Sequence, residues 1–265
     1  MNWKNEDVRQ EVAKLLSEPV PFSTKEMCAK MLSLIDLTTL DGTDTFERVD
    51  KLCQKAKDYG TAAVCVYPFY ASRVKQNLAG SGIRTACVAG GFPASQLPLK
   101  TKLFEIEQTL KDGADEIDMV ISQGAFLEGD YDRVSKEVCF IKSLCGKATL
   151  KVILETGNLP TLDDVETASR IALDSGADFI KTSTGKTAVS ATTEAFYVML
   201  RVVAHYAAWG RHTIGIKPAG GISTVEEAIP YFILAYRILG EEWLNPSHFR
   251  IGASRLADAL YTASR

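Results

Sequence analysis

The stretches GADEID (113–118) and GADFIK (176–181) repeat one pattern, in which Gly-Ala-Asp precedes a short apolar run with a charged residue at the sixth position. A glycine placed there closes the preceding helix in the left-handed conformation, after which the chain turns into a strand. Working outward, β-rich runs at 31–37, 62–66, 83–89, 116–120, 150–154, 179–182, 214–217 and 249–251 alternate with amphipathic stretches. Helices are expected near 45–58, 69–79, 100–112, 131–145, 161–175, 192–209, 224–239 and 254–262. In the first of these, Phe46, Val49, Cys53 and Ala56 recur at helical spacing, with Thr43 or Asp44 able to cap it. Eight strand-plus-helix units without a break in composition predict an α/β fold, a single (β/α)8 TIM barrel spanning 1–265. A helix near 5–17 is a short N-terminal extension outside the repeat. An open parallel sheet is the competing topology, entering through the weaker third and eighth strands. No GxGxxG follows the first strand, so the usual mark of a dinucleotide fold is missing.

Composition narrows the partners. Hydrophobic residues make up 46% of 265 and charged residues 24%, as in a globular enzyme. Thirty basic residues against 33 acidic ones leave a formal charge of −3, so no nucleic-acid footprint is expected. The opening MNWKNEDVRQEVAKLL has neither the apolar core nor the cleavage site of a secretory signal, and no apolar run is long enough to cross a bilayer. The six cysteines form no CxxC pair and read as reduced thiols of a cytoplasmic protein. His205, His212 and His248 are scattered, which gives little basis for a zinc site. Of the assembly states, a homodimer is preferred.

The chemistry concentrates at strand ends, beginning with FIKTSTGKTAVS (179–190). Its GKT suggests a nucleotide-binding loop, but the glycine that such a loop needs five places before Gly185 is Ile180. Lys181, at the end of an apolar run, is the better candidate. A second strand ends in Lys217, within GIKPAGGI (215–222), and two desolvated ammonium groups so placed would favour loss of one proton. A neutral lysine is a nucleophile that forms a Schiff base with a carbonyl; the alternative is that each lysine is paired structurally at a strand end. Asp118 lies between apolar neighbours, where it either moves a proton or serves as a lysine counterion. Asp36 precedes Thr38 and Thr39 at another strand end, organising substrate hydroxyls, the lysines or its own loop. Lys151 and Glu155 share a strand face by even separation, as an electrostatic support or an ion pair. Cys65 is a core or pocket-wall residue. Lys186, in a loop beside Lys181, can reach a phosphate, and the turn at Gly220 and Gly221 with GAS (252–254) can aim backbone N–H groups at the same anion. Tyr67, Phe69, Tyr70 and Phe92 either shape a pocket or pack the barrel rim.

Taken together, IDLTTL (35–40), AAVCVYP (62–68), GADEIDMV (113–120), LKVILETG (150–157), GADFIKTSTG (176–185), GIKPAGGI (215–222) and RIGAS (250–254) resemble, in order and over nearly the whole barrel, the class I deoxyribose-phosphate aldolases. The resemblance implies that Lys181 forms the imine, that Lys217 lowers its pKa and assists proton transfer, and that Asp118 relays protons through water. It further implies that Asp36, Lys186, Gly220, Gly221 and Ser254 bind substrate or its phosphate, and that Cys65 is a pocket cysteine. The substrates implied are a small phosphorylated sugar and aldehydes, with no cofactor and no metal. This chain departs from the family at Arg255, where some members carry a second serine, at VAGGFPAS (88–95) and at ISQGAF (121–126). Some members also have a functional tyrosine in a C-terminal tail; Tyr261 is not assigned that part. Other readings are a class I aldolase for a related aldehyde and a non-catalytic phosphosugar-binding barrel.

Overall fold

Both glycines of the repeated motif take positive φ, 105° at Gly113 and 96° at Gly176. The aspartate two residues on then ties its unit to a neighbouring strand. Asp115 accepts the backbone N–H of Thr85 at 3.0 Å, and Asp178 accepts that of Leu150 at 2.7 Å. The computed structural model describes residues 3–265. In these residues the elements run α1 (Asn5–Ser17), α2 (Thr24–Ser33), β1 (Ile35–Thr38), α3 (Phe46–Tyr59), β2 (Ala63–Val66), α4 (Ala71–Asn77), β3 (Arg84–Ala89), α5 (Leu99–Lys111), β4 (Glu116–Val120), α6 (Gln123–Leu127), α7 (Tyr131–Cys145), β5 (Thr149–Ile153), α8 (Leu162–Asp174), β6 (Phe179–Lys181), α9 (Thr193–Ala208), β7 (Gly215–Lys217), α10 (Val225–Leu239), β8 (Ile251–Ala253) and α11 (Leu256–Ala263).

The strands form one sheet in the order β7-β6-β5-β4-β3-β2-β1-β8, with every neighbouring pair parallel. Bridges from Ile216 to Phe249 and from Ala219 to Gly252 join β7 to the β8 segment and close the ring. The result is the (β/α)8 barrel, and the open-sheet alternative is excluded by that closure. Strand residues alternate between its two faces. Ile35, Leu37, Ile117, Met119, Val152, Ile180 and Ile216 belong to the apolar layer under the helices. Ala63, Cys65, Ala86 and Val88 form a separate apolar cluster with Leu40, against which half-buried Tyr67 and Phe92 pack. The charged residues that alternate with the outward ones on the other strands are Asp36, Glu116, Asp118, Lys151, Lys181 and Lys217, all buried, and apolar Val120, Ile153 and Phe179 share their phase. The lumen is therefore charged on one side and apolar along β2 and β3.

The extension α1 packs on α9 and α10 through its buried Val8 and Val12. One expected strand is corrected at its start: Met31, Leu32 and Ser33 end helix α2, and β1 begins at Ile35. The reason is a capping box between Ser23 and Glu26, which starts a helix whose buried Met27, Cys28, Met31 and Leu32 follow helical spacing. Helix α3 is capped by Thr45, whose side chain accepts the N–H of Arg48, instead of by Thr43 or Asp44. The last strand lies two residues beyond its expected position, because Phe249 makes only an isolated bridge. The expected 69–79 helix is a 3-10 turn (Pro68–Tyr70) followed by α4, and the short α6 falls in a stretch read as loop.

Candidate active site

Lys181 is the last residue of β6, and its register partner on β7 is Lys217. Asp118 sits mid-strand on β4, opposite Lys151 of β5. These placements put three lysines around one carboxylate. Lys181 Nζ and Lys217 Nζ each donate to Asp118 Oδ2 at 2.8 Å, and Lys151 Nζ donates to Asp118 Oδ1 at 2.8 Å. Asp36, second in β1, accepts from Lys217 at 2.5 Å and from Arg250 at 2.6 Å, with Lys151 at 3.4 Å. Glu116 accepts from Arg250 at 2.8 Å and pairs with Lys151 at 2.5 Å. Asp36 and Asp118 thus lie within the barrel, below the strand ends where sequence reading put them.

Counted in their ordinary charge states, the three carboxylates Asp36, Glu116 and Asp118 face the four buried cations Lys151, Lys181, Lys217 and Arg250, with the exposed Arg84 outside this set at 3.7 Å from Glu116. Full protonation leaves an excess of one positive charge, which disappears when one lysine is neutral. Among the described residues, Lys151 meets three carboxylates and Lys217 two, whereas Lys181 pairs with the shared Asp118 alone. Lys181 is the lysine whose ammonium is held least.

The proton affinities follow that order. Burial lowers the pKa of Lys181, Asp118 opposes it, Lys217 adds to the lowering, and the net direction is down. For Lys217, burial is outweighed by Asp118 and Asp36, so its ammonium is held above the ordinary lysine range. Lys151 is likewise raised, with Asp118, Glu116 and Asp36 prevailing over burial. Burial works against charge on Asp118 too, but Lys151, Lys181 and Lys217 hold it well below the carboxylate range. Asp36 is lowered against burial by Lys217, Lys151 and Arg250. Burial, then Asp118, push the Cys65 thiol up, so it stays neutral inside the apolar cluster.

Above the network opens a cavity of about 320 Å³, a volume suited to a small metabolite. Lys181 lines it, as do Thr38, Leu40, Lys186, Gly220 and Gly221, and Ser254 and Arg255 complete one rim. Asp118, Lys217, Asp36, Lys151 and Cys65 lie outside that lining, so the amine at the cavity floor rests on a buried layer of charge. Lys186 Nζ donates to the carbonyl of Leu40 at 2.6 Å. The β6 and β7 loops are joined by Thr182, whose hydroxyl donates to the Ala219 carbonyl and accepts the Ala219 N–H, both at 3.0 Å. Gly220 has φ 86°, and a Cβ there would stand 2.7 Å from Ser190 Oγ and 3.1 Å from Gly185 Cα. Tyr261 stacks on Tyr59 at 4.1 Å and is not among the lining residues.

One expected pairing is corrected. Glu155 lies beyond β5 at φ 54°, so the alternation that would set it beside Lys151 no longer applies. It accepts instead from the Thr184 hydroxyl at 2.5 Å and the Thr184 N–H at 3.1 Å, and so fixes the loop carrying Lys186. Glu116, Arg250, Thr182 and Arg48 were missed by sequence reading. Glu116 had a usable signal, standing two residues before Asp118 on the same strand face; Arg250 had none, because its partners on β1 and β4 lie far away in sequence.

Known proteins share this architecture. Residues 30–233 match the family described as DeoC/LacD family aldolase. The deoxyribose-phosphate aldolase of Mus musculus is 46% identical over 86% of this chain and 77% of its own length. That of Agrobacterium fabrum is 42% identical, covering 88% of this chain and 90% of the relative. The solved deoxyribose phosphate aldolase from Aeropyrum pernix is 25% identical and superimposes with a TM-score of 0.74 over 98% of each chain. With an amine-floored barrel cavity and a family match across most of its length, the chain belongs to the DeoC/LacD aldolases.

Proposed function

We propose that this protein cleaves 2-deoxy-D-ribose 5-phosphate reversibly into acetaldehyde and D-glyceraldehyde 3-phosphate through a Schiff base on Lys181. The observation that carries the reading is a lysine facing the cavity whose single ion-pair partner among the described residues, Asp118, is shared with two other lysines. Its neutral amine adds to the C1 aldehyde, giving a carbinolamine that loses water to form an iminium. Removal of the C3 hydroxyl proton turns that oxygen into a carbonyl as the C2–C3 bond breaks. The bonding pair moves into the iminium, leaving a two-carbon enamine on Lys181 and releasing the phosphorylated aldehyde. Protonation at C2 and addition of water return the free amine and acetaldehyde.

Asp118, acting through water, is the group we assign to proton movement, a task worth about 10²–10⁴-fold in rate. Lys217 keeps its own proton and disfavours one on Lys181. The distal phosphate meets Lys186, the turn at Gly220 and Gly221, and Ser254, with Arg255 and Arg48 on the same lining. Asp36 acts beneath this layer through Lys217, and Lys151 through Asp118. The reaction belongs to deoxyribonucleotide catabolism, and buried, unpaired Cys28, Cys53, Cys65, Cys87 and Cys145 support a reducing cytoplasmic setting. No helix among the described residues is long and apolar enough to cross a membrane.

The test incubates the protein with 2-deoxyribose 5-phosphate, measures acetaldehyde, and reduces a parallel sample with sodium borohydride for peptide mapping. Wild type should gain a substrate-dependent adduct on Lys181, and Lys181→Leu should lose both adduct and turnover while remaining folded. An adduct elsewhere, or undiminished turnover in Lys181→Leu, overturns the assignment.

A further inference from the structure

The buried network reaches both ends of the barrel. Lys181 faces the cavity above the strand ends, whereas Glu116 and Arg250 line a wider concavity of about 880 Å³ at the opposite end, where Arg84 stands 3.7 Å from Glu116. Arg250 is only 4% exposed, and it spans Glu116 and Asp36. Asp36 holds Lys217, and Lys217 shares Asp118 Oδ2 with Lys181, so an unbroken series of ion pairs runs from the floor of the barrel to the reactive amine.

We infer that Arg250 and Glu116 are remote positioning residues for imine formation: together they fix the net charge of the buried network, and through it the pH at which Lys181 releases its proton. The inference rests on the Schiff-base reading above and deepens it. A guanidinium keeps its charge at any pH the fold survives, so Arg250 supplies the fourth cation permanently. It is this fourth cation that puts three carboxylates in deficit and leaves one lysine proton unsupported. Without Arg250, three lysines face three carboxylates and Lys181 has less reason to deprotonate. Without the charge on Glu116, the positive excess grows and Lys181 gives up its proton more readily. The groups facing Lys181 are Asp118 on β4, Lys217 on β7 and Cys65 on β2; Lys151 on β5 and Asp36 on β1 join through them. Arg84 on β3 is 46% exposed, so solvent screens its charge.

The experiment measures, against pH, the rate at which acetaldehyde with sodium cyanoborohydride ethylates Lys181, read by peptide mass in wild type, Arg250→Met, Glu116→Gln and the double variant. A unit charge removed several ångströms away in a medium of effective dielectric about 20 shifts a titration by about one pH unit. Arg250→Met should move the midpoint for Lys181 up by that amount, Glu116→Gln should move it down, and the double variant should return it to the wild-type position. A merely structural role would lower melting temperatures and leave all four midpoints together. Should Arg250→Met not fold, Glu116→Gln and the double variant still decide the matter. If wild type traps acetaldehyde on Lys181 and the single variants do not shift, or shift in the same direction, the inference fails while the Schiff-base reading stands. A wild type with no Lys181 adduct overturns both.

Discussion

Lys181 and Lys217 are register partners on adjacent strands and share one carboxylate oxygen, yet they stand in opposite relation to the fold. The folded pKa of Lys181 is lowered, so carrying its proton costs stability at every pH below that value. The folded pKa of Lys217 is raised, so its contribution is full below the unfolded value of about 10.4 and is lost as pH rises through the folded one. Asp36 and Asp118 are lowered, and their contribution is present above about 3.9 and lost as pH falls through their folded values. Urea denaturation at neutral pH should therefore find Lys181→Leu at least as stable as wild type. Lys217→Leu, which strips Asp36 and Asp118 of a buried partner, should lose about 3–5 kcal/mol. A loss of similar size in both variants would contradict the division of charge between them.

Among the elements, the loops after β6 and β7 do most to shape the cavity, since Thr182 joins them and Gly185 packs under Gly220. Gly220→Ala must introduce a side chain at φ 86° within 2.7 Å of Ser190 Oγ, and so must displace the turn. Steady-state kinetics should show KM for the phosphorylated substrate rising at least tenfold, with a smaller change for an unphosphorylated aldehyde; equal losses on both would remove the turn from phosphate binding. Much of this scale could be read from the chain. The bounds of β4 and α7 agree with periodicity because each has a clean repeat and a definite stop. The misreadings have local causes: Met31–Ser33 looked like a strand because α2 ends directly against β1, and Glu155 escaped the strand by a single left-handed residue. Arg250 with Asp36 and Glu116 could not be foreseen, since 214 and 134 residues separate them and only the pairing of the last strand with the first, inside a shared lumen, makes them neighbours.

At the scale of the molecule, closure is uneven. Strands β4 and β5 pair over five registered positions, from Glu116 with Thr149 to Val120 with Ile153, whereas β7 meets the β8 segment through isolated bridges. The seam is held by Ile216 N–H to His248 O at 2.8 Å, Arg250 N–H to Ile216 O at 3.1 Å and Gly252 N–H to Pro218 O at 2.9 Å. Hydrogen exchange followed by mass spectrometry should find peptides covering 215–219 and 249–253 exchanging sooner than those covering 116–120; the reverse order would show the ring to be weakest elsewhere. Within that ring, the charged side of the lumen and its apolar side along β2 and β3 come from different strands. Leu40 belongs to the apolar side and also borders the cavity. Size and shape on that flank can thus drift, in evolution or by design, without altering any ionic partnership. The shape of the cavity and the basicity of Lys181 become separately adjustable properties of one small barrel.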